Sequence, residues 1–140
     1  MLSKVLAISS TVALLVWMGF FFMGSLPLLI LKHDTPLDSG FIRGLFDVYY
    51  RAVMATATVG SAAYAMTHKP AIALVMVGVA SLAFWCRRWI VGLMDLARSA
   101  IMADESGAVG RFRRLHIGGM LLNAAQLAVI CVGMTRVEFI

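Results

Sequence analysis

Four long apolar runs, separated by short polar stretches, occupy almost all of the 140 residues. The runs extend from about Val5 to Leu31, from Leu45 to Thr67, from Ala71 to Met102 and from Phe112 to Met134. A hydrocarbon core of about 30 Å requires about 20 mostly apolar residues as helix, and a helix satisfies its backbone hydrogen bonds within the segment. The pattern therefore predicts four membrane-spanning helices.

The connections between these runs are short, and short connections make consecutive helices antiparallel neighbours. The predicted fold is an all-α, integral membrane, antiparallel four-helix bundle that forms a single domain over residues 1–140. At 1.5 Å per residue the third helix measures roughly 50 Å, which exceeds the bilayer core. Its second half, which carries Arg87, Arg88, Asp95 and Arg98, is expected to lie at or beyond the headgroups.

The first run raises the question of a cleaved signal peptide. Its apolar stretch is longer than the usual 7 to 15 residues of such a segment, and it continues past Ser25 without an A-x-A-like site. We expect an uncleaved first span.

Composition excludes an ordinary soluble domain. Hydrophobic residues make up 61% of the chain and charged residues 14%, against about one half and one quarter in soluble proteins. The formal charge of +5 does not indicate nucleic acid, because most basic residues flank the apolar runs. Cys86 and Cys131 lack metal or redox spacing and are interpreted as small buried side chains.

The basic residues are distributed unevenly between the two sides of the predicted membrane. By the positive-inside rule the side richer in Lys and Arg faces the cytoplasm. The sequence therefore predicts a bacterial inner-membrane protein with both termini on the periplasmic or exterior side. The cytoplasmic side holds Lys32, Arg43, Arg51, Arg87, Arg88, Arg98, Arg111, Arg113 and Arg114, and the other side holds Lys4, Lys69 and Arg136.

Asp47 and Arg51 are the first candidate ligand-binding pair. They lie four residues apart at the start of the second span, so they share a helix face in the favourable order of acid before base. Ionisable groups in or near the membrane usually face the interior of the helix bundle and pair with another group. A structural ion pair and a ligand or proton site both remain open.

A polar stripe on the fourth helix supplies further candidates. His116, Asn123 and Gln126 fall within about 80° of one another at 100° per residue. Asn123 and Gln126 are typical of hydrogen bonds between helices, whereas the His116 imidazole could ligate a metal or haem iron or relay a proton. His33 and His68 lie in connections, and neither is expected to join His116.

Arg113 and Arg114 belong to the basic set that brackets the third connection. They are candidates either for phospholipid headgroups or for a pocket that binds an anionic substrate. No zinc-protease, covalent-haem or phosphate-loop motif occurs in the sequence.

Three stretches carry a resemblance to known families. They are WMGFFFMGSLPLL in the first span, GLFDVYYRAVM at the second, and FRRLHIGGMLLNAAQLAVI in the fourth. The chain resembles small four-helix bacterial inner-membrane proteins, a group that includes an uncharacterised family related to the copper-resistance D proteins, anthrone-oxygenase-like proteins and four-helix protoporphyrinogen oxidases. The resemblance implies that His116 and Asn123 are the matching positions. The oxidase family has a histidine in the first span and a lysine in the third, and neither span interior has one here.

Two functions follow as hypotheses. The first is a non-enzymatic accessory subunit of a membrane complex, made with other subunits or as a homo-oligomer, or a binder of a small hydrophobic ligand. The second is an oxidoreductase or oxygenase for a hydrophobic aromatic or porphyrin-like substrate, with haem or a metal at His116. No cofactor is otherwise implied, and a transporter lacks a midplane carboxylate pair or a broken-helix repeat.

Overall fold

The structure, a computed structural model, describes residues 1–135. Helices account for nearly all of this range, and no strand occurs within it, so the all-α prediction is confirmed. Arg136, which the charge count placed with the termini, lies outside the described residues. The elements are α1 (Leu2–Leu28), α2 (Pro36–Met66), α3 (Pro70–Cys86), a π-helical turn (Arg87–Val91), α4 (Gly92–Met102) and α5 (Ala108–Met134).

Three helices of the described chain are long and apolar enough to cross a membrane. They are Leu2–Leu28, the continuous helix Pro70–Met102 formed by α3, the π turn and α4, and Ala108–Met134. The remaining long helix, α2, was predicted as a span over residues 45–67, but it is not among the helices apolar enough to cross a membrane. It carries Asp38, Arg43 and Asp47 in its first turns.

The start of α2 lies well before the apolar run that predicted it. Thr35 caps the helix, since its hydroxyl accepts a hydrogen bond from the Asp38 backbone N–H at 3.1 Å. Pro36 follows at the first helical position, where its missing N–H costs nothing and its φ suits a helix. The polar stretch before Leu45 is therefore mostly helical, and it extends α2 by more than two turns.

Three helix ends turn through residues in the left-handed backbone region. His33 has a φ of 64°, His68 of 58° and Asp104 of 53°. This region is uncommon for residues other than glycine, but histidine, asparagine and aspartate enter it more readily than most. Each turn is therefore tight, and the next helix starts within four residues.

Packing between α1 and α2 combines one close backbone approach with stacked rings. A Cβ placed on Gly60 would lie 2.9 Å from the Ser10 hydroxyl, so a larger residue does not fit there without a shift. Farther along, the Phe21 ring stacks on Tyr49 at a centroid distance of 4.1 Å. The pairing of residue 10 with 60 and of 21 with 49 shows that α1 and α2 run antiparallel.

The π turn brings two charged residues of the third long helix to the same side. Arg87 and Asp95 are eight residues apart, which in a regular α-helix separates them by about 80°. A π turn accommodates an extra residue and removes most of that angle. Arg87 accordingly donates to Asp47 of α2 at 2.9 Å, and Asp95 accepts from Arg43 of α2 at 2.8 Å.

Helix α5 packs on the rest of the core through a glycine. A Cβ placed on Gly119 would overlap the ring of Phe46, whose side chain is fully buried. The same ring meets Phe21 edge-on at a centroid distance of 4.8 Å and His116 at 5.8 Å. Phe46 therefore joins α1, α2 and α5 at one point.

We predict that Gly119→Ala destabilises the protein, because the added methyl group must displace Phe46 from a filled core; overpacking of this kind costs about 1–3 kcal/mol. Gly118→Ala is the matched control, since a Cβ there has no atom within 4 Å and alanine favours helix by up to about 1 kcal/mol. Thermal unfolding in mild detergent should show a lower midpoint for the first variant only. Equal midpoints for the two variants would contradict the packing described.

Candidate functional site

Two fully buried histidines contact each other where the first connection meets α5. His33 Nε2 lies 3.0 Å from His116 Nδ1, which is hydrogen-bond distance. The ring of Phe112 lies 6.0 Å from His33, and that of Phe46 lies 5.8 Å from His116. One imidazole nitrogen must donate and the other accept, so the two tautomers are coupled.

The prediction that His33 cannot readily join His116 is wrong. The first connection ends in the left-handed turn at His33, which directs the imidazole inward and over the start of α5. Arg113 fixes the connection there by donating to the Leu29 carbonyl at 3.0 Å. His68 follows the prediction, because it is exposed in the α2–α3 turn at the other end of the helices. The predicted topology already placed His33 and the start of α5 on the same side of the membrane. That shared side was the signal from which the pair could have been predicted.

The pair keeps unused hydrogen-bonding capacity in a buried place. His33 Nδ1, His116 Nε2 and the Ser25 hydroxyl of α1 are buried and make no hydrogen bond to described atoms. Burial lowers the pKa of His33 below its ordinary value near 6.5, and the charge of Arg113 lowers it further. The carbonyls of Leu31 and Lys32 lie near the ring and raise the pKa of His33, as does the carboxylate of Asp38, although neither carbonyl meets the geometry of a full hydrogen bond to His33 Nδ1. The neutral form of His33 is therefore favoured in the fold.

Asn123 links α5 to two other helices. Its side-chain carbonyl accepts from the Tyr49 hydroxyl of α2, and its amide donates to the Met18 carbonyl of α1 at 3.1 Å. Both ends of this buried amide are therefore satisfied, as the hydrogen-bond interpretation of the stripe expects. Gln126, one turn farther, is partly exposed and takes part in none of the described hydrogen bonds.

Asp47 is the centre of an ion-pair group. Its carboxylate accepts from Arg51 at 2.9 Å, as the i, i+4 spacing predicts, and from Arg87 at 2.9 Å. Asp47 is nearly buried, whereas the Arg51 side chain is 65% exposed. The partner that holds Asp47 in the core is therefore Arg87, which sequence reasoning did not pair with it because the π turn sets its direction.

The two candidate arginines of α5 point to different parts of the structure. Arg113 points to the Leu29 carbonyl, as described, while Arg114 is exposed and lies with Arg111 along a groove between α4 and α5. They therefore do not form one anion pocket together with Arg51, whose charge is directed to Asp47.

The two histidines are the potential metal ligands that the structure brings together at this site. Within residues 1–135, no three His, Cys, Asp or Glu side chains come together as a metal site would require. Cys86 is buried, as expected, but the interpretation of Cys131 as a buried side chain is wrong, because it is exposed on α5; both are free thiols.

An apolar cavity lies at the other end of the helices, between α1, α3 and the last turns of α5. Its volume is about 250 Å³. The one hydroxyl on its wall is Thr11, which donates to the Ala7 carbonyl and is bonded to the Tyr64 hydroxyl at 2.8 Å. The lining is Thr11, Leu14, Ala71, Ile72, Val75, Met76, Val79, Val129, Ile130, Gly133 and Met134.

The chain matches no family model, and it has no significant match among curated proteins or solved structures.

We predict that His33→Gly lowers stability, because it leaves His116 buried without its partner, at a cost of about 1–3 kcal/mol. His68→Gly is the matched control: it makes the same change at a left-handed position, but at an exposed side chain. Glycine adopts that backbone without strain, so the control should be neutral or stabilising by up to about 1 kcal/mol. Thermal midpoints in mild detergent distinguish the two, and a stabilised His33→Gly variant would show that the pair contributes nothing.

Acid should destabilise the protein through the same pair. The pKa of His33 is lower in the fold than in the unfolded chain, so the unfolded chain binds more protons between the two values. The contribution of His33 is therefore fully present above about pH 6.5 and is lost as the pH falls below it. The thermal midpoint should fall between pH 7 and pH 5, and the fall should be smaller in His33→Gly. An identical slope in both proteins would assign the acid sensitivity elsewhere.

Proposed function

We propose that the protein is a multi-pass protein of the bacterial inner membrane that binds a small apolar ligand in the cavity between α1, α3 and α5. The observation that carries the proposal is the cavity itself, whose volume of about 250 Å³ exceeds the roughly 150 Å³ of an apolar protein cavity that takes up benzene. In this proposal the four helices form a four-span antiparallel bundle with both termini on the exterior side.

Exposed apolar surface supports the membrane location. In the most apolar 18-residue stretch of α5 only 17% of the residues are buried, and the corresponding share for α1 is 33%. Soluble monomers rarely expose continuous apolar patches of this extent, which mark contact with lipid or with other proteins. Side chains such as Phe20, Trp85 and Val129 then face acyl chains.

The chemistry of the cavity wall supports an apolar ligand. The Thr11 hydroxyl has one proton, which the Ala7 carbonyl can accept, and the Tyr64 hydroxyl can then donate to the oxygen. Most of the hydrogen-bonding capacity of the wall is thus used within the protein. Val75 and Val129 are exposed at the rim, so a ligand can enter sideways from a bilayer without crossing water.

The buried polar groups support a structural role in this proposal. Asp47, Asn123 and Arg43 each bond to a neighbouring helix, as polar groups in membrane proteins commonly do. The oxygenase hypothesis requires His116 to line an apolar pocket, and neither the apolar cavity nor the α4–α5 groove includes a histidine in its lining. We therefore prefer ligand binding to the oxygenase hypothesis. A role as an accessory subunit is compatible with ligand binding. Membership of the small four-helix inner-membrane proteins that the chain resembles is a further hypothesis.

The cavity predicts that Val79→Phe abolishes uptake of an apolar probe, because the larger ring occupies part of the space that Val79 lines. The probe is 1-aminoanthracene, whose fluorescence rises in apolar surroundings, titrated onto the purified full chain in mild detergent. Val77→Phe is the matched control, since Val77 lies two residues away on the same helix and does not line the cavity.

Saturable fluorescence that survives in Val77→Phe and is lost in Val79→Phe is the expected result. Equal binding by both variants would exclude this cavity as the site. Alkaline carbonate extraction of cell membranes tests the location separately, because an integral protein stays with the bilayer and a surface-bound protein is released.

A further inference from the structure

The groove between α4 and α5 combines an apolar wall with a basic rim. Leu93 and Leu96 of α4 are exposed along one side, and Leu115 of α5 lies on the other. Arg111 and Arg114 stand on the α5 side near the connection between the two helices. The groove has a volume of about 580 Å³. The apolar wall and the arginines are thus adjacent, and the arginines lie at one end of the groove.

The charges on the rim do not cancel. Arg111 donates to the Glu105 carboxylate at 2.6 Å, and this acid is the one carboxylate among the lining residues. Arg114 is exposed and makes none of the ion pairs or hydrogen bonds described for residues 1–135. The groove therefore carries one positive charge in excess, and that charge lies on Arg114.

Neighbouring arginines are engaged elsewhere, which separates Arg114 from a general basic surface. Arg113, the next residue before it, donates to the Leu29 carbonyl on the other side of α5. Arg98, on α4, donates to the Ser39 hydroxyl of α2 at 3.3 Å. Of the basic residues at the α4–α5 end, Arg114 is the one that faces the groove without a described partner.

The position of the groove along α5 identifies the level at which it lies in a bilayer. From Leu115 to Met134 the helix carries no charged residue, and at 1.5 Å per residue this stretch spans about 30 Å, the thickness of a hydrocarbon core. Arg111 and Arg114 precede that stretch directly. Basic residues at this place lie at the depth of the phospholipid headgroups.

We propose that this groove binds an anionic phospholipid, with the headgroup phosphate on Arg114 and an acyl chain along Leu93 and Leu96. Charge complementarity selects the anionic headgroup, since basic pockets between membrane helices on the cytoplasmic side recognise such lipids. The apolar wall selects a lipid over a free phosphate. The inference rests on the membrane location proposed above, but not on the apolar cavity, which lies at the opposite end of α5.

The test measures lipid retention by native mass spectrometry of the full chain purified in mild detergent. Dioleoyl phosphatidylglycerol is the anionic probe, dioleoyl phosphatidylcholine is the zwitterionic probe, and inorganic phosphate is the probe without acyl chains. The wild-type protein should retain phosphatidylglycerol more strongly than phosphatidylcholine. Arg114→Gln should reduce its affinity for phosphatidylglycerol roughly fivefold, the factor typical of one basic side chain near an anionic surface.

Arg88→Gln is the matched control, because it removes one exposed positive charge from the π turn in the middle of the third long helix, outside the groove. Its affinity for phosphatidylglycerol should stay at the wild-type value. Leu96→Ser should weaken both lipids, since its side chain is 68% exposed along the proposed acyl path and its loss leaves the core intact.

Equal retention of the two lipids, or an equal loss in Arg88→Gln and Arg114→Gln, would overturn the proposal. Binding of inorganic phosphate as strong as that of phosphatidylglycerol would also overturn it, because the acyl wall would then be irrelevant. Release of the chain by alkaline carbonate would instead contradict the membrane location, so the two failures are distinguishable.

Discussion

The polar contacts of α2 with its neighbours set the register of the whole helix assembly. Apolar helix surfaces pack in many relative positions with similar energy, above all where lipid surrounds them, so they specify register poorly. Hydrogen bonds and ion pairs require particular atoms to meet. Helix α2 supplies such atoms to each neighbour: Tyr64 to Thr11 of α1, Asp47 to Arg87 of the third long helix, and Tyr49 to Asn123 of α5. The helix with the least apolar sequence is therefore the one that positions the others.

Steric fit strengthens this arrangement at the points where the backbones are closest. Gly119 lets Phe46 reach α5, and Gly60 lets α2 approach Ser10 of α1. Small residues have this use in membrane helices generally, because they permit dispersion contacts that longer side chains would prevent. The polar contacts select one register, and the glycines make that register the densely packed one.

At the histidine pair, the hydrogen bonding of the buried polar groups is incomplete. Elsewhere in the core a polar group bonds to a neighbour, but His33 Nδ1, His116 Nε2 and the Ser25 hydroxyl have no described partner. Buried polar atoms without partners reduce stability and commonly mark a strained or functional place. The pair also joins the first connection to α5. The apolar cavity lies at the far end of α5, away from this contact.

The sequence by itself determined the helical class and much of the layout. The apolar runs located four long helices because hydrophobic length is a local property, and the i, i+4 spacing was sufficient to pair Asp47 with Arg51. The early start of α2 was missed although its signal is local, since Thr35 precedes Pro36 and Asp38 as a capping residue does. The π turn that directs Arg87 to Asp47 has no such local signal. Only the tertiary structure decided that His33 meets His116, since residues 83 positions apart are brought together by a left-handed turn and by packing over the start of α5. Periodicity reports which side of a helix is apolar, whereas the meeting of two side chains depends on how whole helices rotate and slide against each other.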